Sequence, residues 1–157
     1  MELHEHPGLE AEPPTLRIGP TSVPHTAVDW KTPGLPALRK DDSQDLSKFG
    51  SIVGGERLSL ELSSVVAPAA FELSVFLGKP SEIDPAGPPN AMIDLVASDL
   101  VTRETLSHGT RYSLDWAALG ISGDAIIGIF AQYHADPTLE GERFTNAVGW
   151  IVALRHS

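Results

Sequence analysis

Hydrophobic and polar residues alternate in several segments of this chain from residue 57 onward. In residues 57–62 every second position is a leucine, and serine and glutamate lie between the leucines. Residues 71–77 place aromatic and aliphatic side chains at alternate positions in the same way. A period of two puts successive side chains on opposite faces of a strand. The two segments therefore predict two β-strands, which we expect to form an antiparallel pair.

Residues 125–133, with the sequence AIIGIFAQY, form the longest strongly apolar run and show no helical spacing. A near-continuous apolar run of this length is typical of a strand that is covered on both faces. We expect it to be the central strand. Further strands are predicted in four segments: 92–97, 101–105, 110–114 and 147–154.

Short strands separated by turn residues predict an all-β fold, an antiparallel β-sandwich of about six to eight strands. The chain contains 14 glycines and 13 prolines, which fits many turns better than long helices. One or two short helical turns are expected, at residues 41–50 and 115–120. Asp42 or Ser43 would cap the first, and Asp115 the second.

The N-terminal part of the chain is rich in proline. Seven of the 13 prolines lie within residues 1–40, and each one fixes φ and removes a backbone donor. We therefore expect an extended N-terminal arm (residues 1–40) and a β-sandwich domain (residues 41–157). Residues 16–18 are predicted to form a short edge strand of the arm, and Trp30 is a candidate contact with a partner protein.

Charge and composition narrow the possible partners. The net charge of −10 repels phosphate backbones and anionic lipids. We therefore expect no nucleic-acid partner and no membrane partner. The chain has no cysteine, which excludes a disulfide framework, a thiol nucleophile and a cysteine metal site. The first 14 residues lack the basic and apolar regions of a secretory signal, so we expect a soluble, cytoplasmic protein.

The histidines do not form a pattern that predicts a metal site. His4 and His6 lie close together near the N-terminus, but a structural site needs a third and a fourth rigid ligand. We therefore expect no metal in this chain.

A second histidine pattern concerns catalysis. His134 and Asp136 follow the predicted central strand and could act as a base with its orienting carboxylate, or as a polar loop anchor. The same two interpretations apply to His25 and Asp29. The chain has no Gly-x-Ser-x-Gly nucleophile turn and no phosphate-binding glycine loop. Without a complete catalytic constellation, the sequence favours a protein that is not an enzyme but leaves enzymatic activity open.

Four segments carry a family resemblance. Residues 71–80, FELSVFLGKP, are similar to an "aromatic-x-V-F-L-N-x-P" strand, with Gly78 in place of Asn. Residues 112–120, YSLDWAALG, are similar to a longer "F-D-V-T-D-A-L-x-x-L-G" segment, and residues 125–133 and 147–154 to the two strands after it. Over residues 57–155, the order of these segments resembles the C-terminal β-sandwich domain of tyrosinase, polyphenol oxidase and haemocyanin-type copper proteins.

The resemblance implies an accessory role. In that family the copper-binding histidines lie on a separate four-helix domain, whose histidine motif this chain does not contain. The resemblance therefore implies a module that shields a copper site in a partner and holds no cofactor itself. Family members of this type cover the copper site with an apolar plug residue on a loop, for which Leu139 and Phe144 are the candidates here.

Three functional hypotheses follow. The first is a non-catalytic accessory module that docks on a partner protein, possible partners including a type-3 copper oxidase. The second is a ligand-binding or hydrolytic sandwich that uses His134 and Asp136. The third is a homo-oligomeric structural protein whose subunits exchange their N-terminal arms.

Overall fold

The computed structural model describes residues 13–30, 38–42, 50–53, 57–63, 68–78, 87–107, 109–115, 117, 121, 124–134 and 145–155. Within these residues the chain forms twelve strands: β1 (Leu16–Ile18), β2 (Thr21–Val23), β3 (Ala27–Trp30), β4 (Leu38–Asp41), β5 (Gly50–Val53), β6 (Arg57–Leu62), β7 (Ala70–Leu77), β8 (Ala91–Asp94), β9 (Thr102–Leu106), β10 (Gly109–Asp115), β11 (Ala125–His134) and β12 (Thr145–Arg155). Two antiparallel sheets pack together, and the predicted all-β sandwich is confirmed. The described strands outnumber the six to eight that were expected.

The strands divide between a five-stranded and a seven-stranded sheet. Sheet A has the order β2-β1-β6-β10-β9, and sheet B the order β4-β3-β12-β11-β7-β8. In sheet B, β5 also pairs with β12, and this is a parallel pairing. The apolar run forms β11, which lies between β12 and β7. The prediction of a central strand is therefore confirmed.

The expected pairing of β6 with β7 is wrong. β6 pairs with β1 and β10 in sheet A, whereas β7 pairs with β11 and β8 in sheet B. The alternation of apolar residues shows which face of each strand is buried, but it does not select the neighbouring strand. Both strands turn their apolar faces to the same core from opposite sides.

The described part of the N-terminal arm supplies strands to both sheets. β1 lies between β2 and β6, so it is an interior strand and not the predicted edge strand. Pro20 and Pro24 flank β2 and do not interrupt its ladder. The expected boundary between residues 40 and 41 falls inside β4.

The two expected helical turns fall mostly outside the described residues, which omit 43–49, 116 and 118–120. The end positions of these two segments that the structure describes lie in β-strands. Asp41 ends β4, and Asp115 ends β10, where its carboxylate pairs with Arg57 at 2.9 Å.

Large aromatic side chains fill the space between the sheets. Phe71 of sheet B and Tyr112 of sheet A meet edge to face, with ring centroids 4.8 Å apart. Trp150 is fully buried, and Trp30 is 1% exposed. Burial of a large apolar side chain contributes about 1.5–3 kcal/mol, so these contacts fix the two sheets against each other. Trp116 lies outside the described residues.

Candidate functional site

The outer face of sheet A, which is turned away from sheet B, is covered by ion pairs. The registers place Arg17, Glu61, Arg111 and Glu104 side by side across four strands. Arg111 Nη2 donates to Glu61 Oε1 at 2.7 Å, and Arg111 Nη1 lies 3.4 Å from Glu104 Oε1. The hydrogen bond to Glu61 is the main reason why the pKa of Arg111 is raised. This face is polar, and its charges largely satisfy one another.

The outer face of sheet B has a different character. The residues of β11 that face the core are Ala125, Ile127, Ile129, Ala131 and Tyr133. The alternate residues of β11, which include Gly128 and Phe130, therefore point outward. Opposite Phe130, β12 contributes Gly149, and β3 contributes Ala27 beside it. Small residues thus surround one exposed aromatic ring, 42% of which is accessible.

These residues form an open concavity of about 680 Å³, which we call the Phe130 groove. Its lining includes six residues of four strands: Ala27, Asp29, Arg39, Phe130, Ala147 and Gly149. A smaller concavity of about 210 Å³ shares Ala27, Phe130 and Gly149 with it and continues toward Gly128. Phe130 therefore stands between two hollows of the same face.

The floor of the groove is held by hydrogen bonds. The carbonyl oxygen of Gly149 accepts one from the amide of Thr26 at 2.9 Å and another from Thr26 Oγ1 at 3.2 Å. The Thr26 side chain is buried. These bonds join the start of β3 to β12 beside Phe130.

Charged side chains line the two ends of this face. At the β3–β4 end, Arg39 Nε lies 3.6 Å from Asp29 Oδ1, and both side chains are largely exposed. At the other end, Glu72 is the cross-strand neighbour of Phe130, and Asp94 is the next residue in that row. Asp94 Oδ1 accepts hydrogen bonds from the amides of Val96 and Ala97, which fixes its position.

Along the strand direction, beyond Gly128, the outer face of sheet B is apolar as well. Phe76, Ile126 and Ile151 form a small buried cluster separate from the main core. The register pairs Ile126 with Phe76, on the outward side of β11. An antiparallel sheet with one solvated face normally carries polar residues there, so the outer face of sheet B differs from that of sheet A.

The predicted partner contact Trp30 lies in the core. Its ring meets Tyr133 edge to face, with centroids 5.5 Å apart. Its 1% exposure leaves almost no indole surface for a partner in this conformation. The other two predicted contacts, Leu139 and Phe144, lie outside the described residues.

The predicted polar pair, His134 and Asp136, lies only partly within the described residues. His134 is the last residue of β11 and pairs with Thr145 of β12, and Asp136 lies outside the described residues. Their joint role stays a prediction. His25 acts as an anchor, because its Nε2 donates to the carbonyl oxygen of Pro14 at 2.7 Å and its ring contacts Trp150.

In the described part of the chain, no group of three or more His, Asp or Glu side chains could hold a metal ion. No helix among those residues is long and apolar enough to cross a membrane. Comparisons with family models, curated proteins and solved structures find no match to this chain. The resemblance to the tyrosinase-type sandwich therefore stays a prediction.

Sequence reasoning did not single out Phe130. The signal was present, because β11 is apolar at outward positions where a half-solvated strand would be polar. The hollow beside Phe130 could not be found from that signal, since it needs Ala27 and Gly149, which are distant in sequence and become neighbours only through the β3–β12 pairing.

Proposed function

We propose that this chain is a non-catalytic interaction domain that binds a segment of a partner protein on the outer face of sheet B, in the Phe130 groove. The observation that supports this most strongly is the exposed ring of Phe130 above a floor of glycine and alanine. Exposed aromatic side chains beside a hollow are typical anchors of protein interfaces.

The contrast between the two sheets supports the choice of face. On sheet A, the outward charges of Glu61, Arg111 and Glu104 already pair with one another. A partner that binds sheet A would find charges that are already paired and little apolar surface to cover. On sheet B, the apolar centre is open and the charges lie at its ends, which is the arrangement of an interface core with a polar rim.

The exposed part of Phe130 sets the size of the expected effect. A phenylalanine side chain buries about 150–250 Å², and 42% of Phe130 is accessible. At about 25 cal/mol per Å², covering this surface contributes about 2 kcal/mol, which corresponds to about a 30-fold change in Kd.

The test compares two variants of the tagged chain in retention from lysate of its own source. Phe130→Ser removes the exposed ring. Leu77→Ser is the matched control, because Leu77 is similarly exposed, at 47%, but lies about 17 Å further along the sheet by strand rise. Urea unfolding of each variant verifies that it folds.

We expect wild type and Leu77→Ser to retain the same stoichiometric protein and Phe130→Ser to lose it, with the loss reproduced by the purified partner. Equal retention by Phe130→Ser would contradict the proposal. Copper in the eluate would identify the partner as the oxidase that the strand resemblance suggests. Recovery of the chain alone as a defined oligomer, by light scattering, would favour exchanged N-terminal arms instead.

A further inference from the structure

We propose that the segment bound in the Phe130 groove is basic, and that one of its Lys or Arg side chains lies on the ring of Phe130 beside the carboxylate of Glu72. This inference rests on the proposed function and adds the chemical class of the partner.

The registers place these groups in one row across sheet B. The row reads Asp94, Glu72, Phe130, Gly149, Ala27 and Asp41, from β8 through β7, β11, β12 and β3 to β4. Neighbouring strands lie about 4.8 Å apart, so Glu72 is about 5 Å from Phe130 and Asp41 about 14 Å away on the other side. A carboxylate therefore lies near each end of a short apolar floor.

The charges that share this face are predominantly negative. By register, Asp29, Asp41, Glu72 and Asp94 point to the outer side together with Arg39. Lys40 also lines the groove, and its Nζ lies 3.5 Å from Asp42 Oδ2. Arg39 already lies 3.6 Å from Asp29. Within the described residues, no cation lies within ion-pair distance of Glu72.

A cation suits the position above Phe130 for two reasons. The face of an aromatic ring attracts a Lys ammonium or an Arg guanidinium within about 6 Å of its centroid. Glu72 is the cross-strand neighbour of Phe130 by register, and its carboxylate supplies an opposite charge. The long aliphatic part of either side chain would cover the alanine and glycine floor.

The same charges argue against a second copy of this chain as the occupant. A two-fold pairing would bring the acidic row of one copy close to that of the other, and each copy carries a net charge of −10. Like charges placed opposite each other across an interface are strongly unfavourable. Charge complementarity therefore favours a different, basic protein.

The test is an NMR titration of the ¹⁵N-labelled full chain with three synthetic peptides, acetylated and amidated: Lys-Val-Lys-Val-Lys-Val, Glu-Val-Glu-Val-Glu-Val and Ser-Val-Ser-Val-Ser-Val. Glu72→Gln removes the charge beside the ring. Glu104→Gln is the control, because it removes one exposed carboxylate from the ladder on sheet A.

We expect the lysine peptide alone to shift the amide signals around Glu72, Phe130 and Gly149, with a Kd that Glu72→Gln weakens about fivefold and Glu104→Gln leaves unchanged. Equal weakening by both variants, or signals that shift over the whole acidic surface, would overturn the inference. Binding of the serine peptide in the groove with the same affinity would also overturn it, while leaving the groove as an interaction site. The proposed function itself fails only if protein retention does not depend on Phe130.

Discussion

A single methyl group added at Gly149 or at Gly109 should have opposite effects on the free energy of unfolding. Both glycines are buried in strands, β12 and β10 respectively. A Cβ at Gly149 would lie 3.6 Å from Ala27 Cβ and 3.9 Å from Phe130 Cδ2, which is ordinary van der Waals contact. A Cβ at Gly109 would collide with the carbonyl oxygen of Leu62, a backbone atom of the neighbouring strand β6.

The magnitudes follow from these distances. Replacing glycine by alanine without strain stabilises a protein by about 0.4–1 kcal/mol, because the unfolded chain has fewer conformations. Gly149→Ala should therefore be neutral or stabilise by up to about 1 kcal/mol. Gly109→Ala forces β10 and β6 apart, and overpacking of this kind costs about 1–3 kcal/mol.

Urea unfolding followed by tryptophan fluorescence measures both free energies under the same conditions. If Gly109→Ala is as stable as Gly149→Ala, the close approach of β10 to Leu62 is wrong. Gly149→Ala also adds a methyl group to the floor of the Phe130 groove. It should therefore weaken partner binding without loss of stability, which separates binding from folding.

Two further predictions concern the core. Ile127→Ala and Ile126→Ala should each lower the free energy of unfolding by about 2–5 kcal/mol, because both side chains are fully buried, on opposite faces of β11. Urea unfolding measures both losses. If Ile126→Ala causes no loss, the outer cluster is not packed. Burial raises the pKa of Tyr112 above its ordinary value of 10.0, with Arg103 acting in the opposite direction. The stability that depends on the neutral phenol is therefore complete below pH 10 and is lost as the pH rises toward the higher pKa of the folded state. Tyr112→Phe should make the decline in urea midpoint above pH 10 shallower, and an unchanged decline would contradict this.

The strands that the sequence predicted well are those with a long apolar face. The bounds of β6 agree with the period-two pattern, and β11 stands out because it is apolar on both faces, although Phe130 on its outer face is exposed. The strands β2 to β5 have three or four residues each, which is too short for a periodic signal. The prolines near β2 lie beside it, so they did not prevent pairing.

The candidate site was much harder to predict, because pairings between distant segments create it. Trp30 was expected to contact a partner, but the pairing of β3 with β12 turns its ring into the core. The same pairing brings Ala27 beside Gly149 and opens the hollow next to Phe130. A pattern along one strand shows that two faces are apolar, but it does not show which outward residue remains exposed.

Hydroxyl-radical footprinting of the chain, with and without its retained partner, tests the central claim most directly. The method reports the solvent exposure of individual side chains by mass spectrometry, and Phe130, Leu77 and Leu100 are all exposed in the free chain. We predict that the partner protects Phe130 and leaves Leu77 and Leu100 as reactive as before. If Phe130 remains fully reactive while the partner is bound, the outer face of sheet B is not the binding surface.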